Sequence, residues 1–479
     1  MRLTIILRYI GIVLLLNGAF MFIAFLISAY NTDSAMVPLF LSCILTVLVG
    51  VFPMIFVPPS DNITNKEGYV IVVFSWLIVC LFGMLPYLLW GGEFTLVNAW
   101  FESVAGYTTT GSTILKDIEA LPNGLLFWRS STHWLGGIGI ILFVLVIVPA
   151  LGKSRMSLSR LEMSPLAKTN FHYKTNKTLR VVIMVYLGLT LVETVLLYFL
   201  GMSLFDAVTH TFGTVATGGF SPKNASIGYY NSVGIEIVII IFMFLAGMHF
   251  GVLYTMFTFK DVKWYKSSVV RLYFFAIIIG IVFVTLNTKG NNYSTWAEAL
   301  RFSAFQVVSI ATTTGYGTCD TTLWPPFSIM ILLYFSFQCA CAGSTAGGIK
   351  VDRVVIFIQS LRRQVLKLQH PHAVIPVRLD GNPIDDETVD SVLLFIVLYI
   401  LILFITGLLI TAMGVDITTA FSASAATIST VGPGFGDVGS ASNYAIIPDL
   451  GKILLTFNML LGRLEIFGLM LLFFMRSWR

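Results

Sequence analysis

Four times along the 479 residues, at intervals of about 100, an apolar stretch too short to cross a bilayer runs into a Thr/Gly segment. The four segments read Thr109-Thr110-Gly111, Thr217-Gly218-Gly219, Thr313-Thr314-Gly315 and Thr430-Val431-Gly432. Each lies between two apolar stretches long enough to span, so the chain carries an internal fourfold repeat. The repeating unit is a hydrophobic hairpin enclosing a short re-entrant helix and an extended loop. Four such units around one axis bring four loops together without needing four chains.

With 57% hydrophobic residues and a mean hydropathy of +0.87, the chain has more apolar surface than a soluble fold of this length buries, so lipid must cover the rest. Apolar stretches near 9–30, 36–57, 69–90, 125–150, 181–201, 233–258, 272–288, 326–342, 391–413 and 450–475 each approach the ~20 residues that a spanning helix requires. The expected architecture is an all-α membrane protein of four helix, pore-loop, helix units, preceded by two extra amino-terminal spans. The boundaries fall at 1–60 for that two-helix domain and at 61–165, 166–262, 263–380 and 381–479 for the four units.

Only 11% of residues are charged, and the net charge of +5 comes from Lys and Arg that flank apolar spans, so a nucleic-acid partner is not expected. Arg2 and Arg8, Lys153 to Arg180, Lys260 to Arg271, Lys350 to Arg378, and Arg476 with Arg479 fall on one side, which predicts cytoplasmic termini. Asp33, Glu93, Asp117, Glu119, Asp320, Asp437 and Asp449 fall on the other, where they either favour an arriving cation or are simply solvated. The apolar run after Arg8 lacks a small-residue cleavage site and reads as a retained anchor. Five cysteines without zinc-site spacing read as small buried residues.

Extended backbone at membrane depth is tolerated only where it is packed in protein or lines water, because unpaired carbonyls in lipid cost several kcal/mol each. Four convergent loops meet that condition by turning carbonyls toward an ion. A dehydrated monovalent cation needs a ring of oxygens, and backbone carbonyls supply dipoles without a trapping charge. Glycine permits the positive φ that this geometry needs, threonine adds further oxygens, and the short helix ahead of each loop aims its negative end inward. The pattern therefore predicts a pore for a monovalent cation.

These residues resemble the Trk/Ktr/HKT superfamily of potassium transporters, most closely its bacterial TrkH branch. The resemblance extends to His133-Trp134-Leu135-Gly136-Gly137-Ile138-Gly139, to Cys341-Ala342-Gly343-Ser344-Thr345-Ala346-Gly347-Gly348-Ile349-Lys350 and to Gly432-Pro433-Gly434. It implies potassium uptake across a bacterial inner membrane by a homodimer with one pore per subunit, regulated by a cytoplasmic nucleotide-binding subunit of the TrkA type. Carried over by position, the twelve residues of the four segments bind K+ as the filter. Gly343, Ser344, Thr345, Ala346, Gly347, Gly348 and Lys350 belong to an intramembrane gate, and Arg463 faces the pore beneath the filter as a barrier. The glycines are followed by Ser112, Phe220, Tyr316 and Pro433 rather than by one shared residue, so the upper sites should be irregular and discrimination against sodium modest.

The residues from Ala342 to Gly348 also predict a broken helix on their own account, since glycines at mid-span destabilise a helix and free its backbone groups. Arg463 in mid-span costs ~3 kcal/mol or more unless it faces water or a partner. Glu193, also within a span, is either a coupling-ion ligand or a satisfied helix contact. His133, His210 and His249 near span ends read as interfacial packing or proton carriers, and His370 with His372 as solvated charge or a docking site. No HExxH, GxSxG or Walker-type run is present, so enzyme chemistry is not expected. A secondary transporter coupling potassium to protons or sodium is the rival reading, because it too uses repeats and broken helices.

Overall fold

The computed structural model describes residues 2–58, 65–150, 175–258 and 267–466. Much of the sequence-predicted basic side, at 153–174, 260–266, Arg476 and Arg479, lies outside those residues. Helices α1 (Leu3–Asn31) and α2 (Met36–Phe56) form a hairpin whose crossing is made close by glycine. A Cβ on Gly50 would stand 3.1 Å from the Gly11 carbonyl oxygen, so these small residues let the two backbones touch where lipid offers no hydrophobic drive.

After the hairpin, a long helix, a short helix and a second, often interrupted, helix follow one another four times. The first set is α3 (Asn65–Gly83) with its continuation α4 (Leu85–Trp90), then α5 (Leu96–Tyr107) and α6 (Asn123–Ala150). The second is α7 (Thr175–Phe199), α8 (Leu204–Val215), and α9 (Val233–Ala246) with α10 (Phe250–Thr258). The third is α11 (Ser268–Thr288), α12 (Trp296–Ala311), and α13 (Pro326–Phe337) with α14 (Val351–Gln369). The fourth is α15 (Asp386–Ala412), α16 (Ile417–Ile428) and α17 (Asp449–Arg463). A two-residue ribbon, β1 (Arg378–Leu379) with β2 (Asn382–Pro383), turns the chain between the third and fourth sets.

Six helices among the described residues are long and apolar enough to cross a membrane, and the bent pair α9–α10 makes a seventh. The departures from ten straight spans lie in the second helices. The stretch expected over 233–258 bends by 110° between α9 and α10. The stretch expected over 326–342 ends at Phe337, so the predicted break begins at Gln338, four residues before Ala342. The two breaks answer each other. The Cys341 amide donates to the Gly247 carbonyl (3.0 Å) and the Phe250 amide to the Gly343 carbonyl (3.2 Å), so groups freed from one helix are satisfied by the other. α17 ends at Arg463, and the last predicted span is described only as far as Ile466.

The short helices α5, α8, α12 and α16 are the buried centre of the molecule. Each starts on a side-chain oxygen that accepts an orphan amide of the first turn: Thr95 from Asn98, Ser203 from Asp206, Thr295 from Glu298 and Asp416 from Thr418. Their buried faces are rich in Ala, Ser, Thr and Gly, and this lets the longer helices close around them.

Candidate functional site

All four short helices end in the same backbone figure. The amides of Thr110, Gly218, Thr314 and Val431 donate to the carbonyls of Ala105, Gly213, Ser309 and Ala426 at 2.9, 2.8, 2.9 and 2.9 Å. Just before each of these donors stands a threonine in the left-handed region, with φ of 53° at Thr109, 53° at Thr217, 58° at Thr313 and 54° at Thr430. A β-branched residue there is an outlier costing about 1–3 kcal/mol. Four copies of that strain, at matching positions, mark a geometry held in place by its surroundings. The glycine after each donor continues the left-handed path, with φ of 79°, 80°, 76° and 98° at Gly111, Gly219, Gly315 and Gly432.

The loops lean on one another in cyclic order. A Cβ added to Gly111 would collide with the Gly218 carbonyl oxygen, one on Gly219 with that of Thr314, one on Gly315 with that of Val431, and one on Gly432 with that of Thr110. The first loop thus meets the second, the second the third, the third the fourth and the fourth the first, which closes a ring. At every junction the carbonyl belongs to the residue before the aligned glycine. The twelve predicted filter residues are all brought together here. Above the ring opens a cavity of about 140 Å³ lined by the four glycines. Its charged lining among the described residues is Lys116, Arg129 and Lys223. Asp117 and Glu119, of the acidic outer loops, accept from Asn224, which lines this cavity.

The predicted gate residues lie directly below the threonines. Thr217 bonds the Thr345 hydroxyl at 3.3 Å, and the Thr313 hydroxyl accepts from the Gly347 amide at 3.2 Å. Lys350 folds back to the Ala346 carbonyl, and Asp352 accepts from the Ala342 amide at 2.7 Å, which pins both ends of the segment. A Cβ on Gly343 would strike the His249 ring, so the turn at this glycine, with φ of 74°, is packed tightly as well as left-handed.

Arg463 is buried at the end of α17. Its guanidinium donates to the carbonyl of Thr345 in the segment and, at 3.0 Å, to that of Gly136 in α6. Glu465 does not pair with it: that carboxylate meets Arg353 at the start of α14. The cation therefore carries its charge among carbonyl dipoles directly beneath the ring.

A family model described as a cation transport protein, TrkH, matches residues 40–478. The chain belongs to the TrkH family. The Trk system potassium uptake protein TrkH of Salmonella typhimurium is 35% identical over 88% of this chain and 87% of its own length. The protein of that name from Vibrio parahaemolyticus is 34% identical over 99% of both chains. The crystal structure of the potassium transporter TrkH from Vibrio parahaemolyticus superposes with a TM-score of 0.90, at 31% identity over the whole of both chains.

Several buried groups around this TrkH-family site had escaped the sequence reading. Glu102 and Arg129 form an ion pair of 2.6 Å behind the first loop, both essentially without exposure. A carboxylate and a guanidinium in neighbouring apolar stretches were the available signal, since such groups in a membrane protein find partners. The three membrane histidines are buried rather than interfacial. His133 bonds the Gly106 carbonyl, His210 bridges the Asp206 carbonyl and the Ser221 hydroxyl, and His249 accepts from the Gly251 amide. Glu193 is fully buried in α7. Four of the cysteines are buried and Cys319 is half-buried.

Proposed function

We propose that this protein conducts potassium through the ring, from a bacterial cell's exterior to its cytoplasm. The observation that carries the reading is the ring itself: four loops with one backbone figure, closed head to tail, at the ends of four buried helices. Rings of carbonyls replace a cation's hydration shell, and the negative helix ends aimed at them favour positive charge. The relatives, named as potassium uptake proteins rather than enzymes, support the choice of ion.

On this reading Thr109, Thr110, Gly111, Thr217, Gly218, Gly219, Thr313, Thr314, Gly315, Thr430, Val431 and Gly432 are the K+-binding filter. The residues from Gly343 to Gly348, with Lys350, are a movable obstruction, and Arg463 is an electrostatic barrier. The units 61–165, 166–262, 263–380 and 381–479 are four potassium-channel-like repeats, and residues 1–60 are appended to them. A homodimer and a cytoplasmic nucleotide-binding subunit of the TrkA type complete the assembly. α14, amphipathic and carrying the exposed Leu361, Val365 and Leu368 beside Arg362 and Lys367, is a fitting face for that subunit.

The deciding experiment is flux from the purified protein in liposomes, with and without a membrane potential and a proton or sodium gradient. Potassium movement driven by potential alone, with modest preference over sodium, is expected. Flux that requires the second gradient would instead establish a coupled symporter.

A further inference from the structure

The residues after the four aligned glycines differ, and one of them is held unlike the rest. Phe220 follows Gly219 and is buried between two side chains of α6. The Arg129 guanidinium carbon stands 3.5 Å from its ring centroid, and the His133 imidazole stacks on it at 4.0 Å and 14°. Two groups that near one centroid cannot share a face, so the ring is sandwiched. Arg129 and His133 are four residues apart and project from the same side of α6, which sets their spacing.

Both jaws also hold backbone on either side of the junction between the first and second loops. Arg129 donates to the Ser221 carbonyl at 3.0 Å and is fixed by Glu102, which accepts from the Thr113 hydroxyl (3.0 Å) and the Ile114 amide (3.1 Å) at the exit of the first loop. His133 Nδ1 donates to the Gly106 carbonyl at 2.7 Å, where α5 runs into the first loop. Its ring lies so close to Gly218 that a Cβ there would overlap it. Ser112 and Tyr316, the counterparts of Phe220 in the first and third loops, are held by hydroxyl bonds instead: Ser112 to Gly432, Tyr316 to His210 and Phe220.

We propose that Arg129, His133 and Phe220 form a clamp that fixes the separation of the first and second loops and so sets how well the ring tells potassium from sodium. The proposal rests on the reading of the ring as a potassium filter. Arg129 and His133 are positioning residues acting through Phe220 on the carbonyls of Gly218 and Gly219. A smaller cation is accommodated only if the carbonyls close in on it, and a stacked aromatic held by a buried ion pair opposes that movement.

The test is potassium and sodium flux under one driving force, in liposomes containing the full-length chain. Phe220→Leu and His133→Leu should each lower the potassium-to-sodium flux ratio about fivefold, equivalent to ~1 kcal/mol. Phe220→Tyr, which keeps the sandwich, should stay within about twofold of the parent. Arg129→Lys keeps the charge beside Glu102 and loses the planar stack, so it gives the same fall if the leucine variants do not fold. An unchanged ratio in folded variants, or an equal fall of both fluxes, overturns the clamp alone. A parent ratio near one would overturn the filter reading itself.

Discussion

The ring of loops and the segment beneath it are within hydrogen-bond reach of each other, yet they are built differently. The ring is made of backbone conformation repeated four times, with every left-handed threonine matched by three others and every glycine abutting a neighbour's carbonyl. The segment below occurs once. Apart from the backbone bond between Phe250 and Gly343, it is held by individual side chains, among them Lys350, Asp352, Arg463 and the hydroxyls of Thr217 and Thr313. The difference teaches which part tolerates motion. Displacing one loop disturbs two junctions of a closed circuit, whereas the segment is released by breaking a few hydrogen bonds, most of them to side chains, that re-form elsewhere at little cost.

Substitution that adds an atom at a junction of the ring should therefore abolish transport, and loosening of the segment below should raise it. The largest effect is expected for Gly219→Ala, which adds an atom where the Thr314 carbonyl already lies. Potassium flux should fall at least ~100-fold, a loss of ~2.7 kcal/mol or more. Gly201→Ala is the control, since Gly201 is also left-handed, with φ of 102°, but has nothing within 4 Å of an added Cβ. Its flux should stay near the parent value, and equal damage at both positions would mean that backbone strain rather than the circuit decides.

Deletion of residues 343–347 should raise flux on the order of tenfold, as should Arg463→Ala, each lowering the barrier by ~1.4 kcal/mol. A fall in either variant at normal expression would show that the region below is a structural support of the ring. A smaller rise, about threefold, is expected for Arg353→Gln, which removes the ion pair to Glu465 two residues beyond Arg463 and loosens the anchor of α17. Unchanged flux would separate that ion pair from the barrier. The smallest change, about twofold, is expected for Thr217→Val, which removes the 3.3 Å contact with Thr345 and leaves the backbone path available. Measured in the presence and absence of the deletion, its effect should vanish when residue 345 is gone.

The ring was legible in the sequence because it is periodic: one aligned glycine in each of four Thr/Gly segments identifies the four loops. The break after α13 was legible at its glycines but not at its start. Gln338 leaves the helix because the chain folds back to pair with Ile349 and because Gly247, nearly a hundred residues away, supplies an acceptor. Contacts made between units carry no such local signature. That is why Arg463 stood out as a costly charge while its carbonyl partner on Gly136 did not, and why the pairing of Glu465 with Arg353 could not be read along the chain.

A circuit assembled from one chain has a genetic consequence. In a pore built from four identical subunits, any codon change arrives at every position of the circle together, and the smallest available alteration is a fourfold one. Here each quarter is encoded separately, so a single mutation changes one quadrant and leaves three as they were. On the reading of the ring as a filter, selectivity is then adjustable one quadrant at a time, and the four positions after the aligned glycines, Ser112, Phe220, Tyr316 and Pro433, all differ.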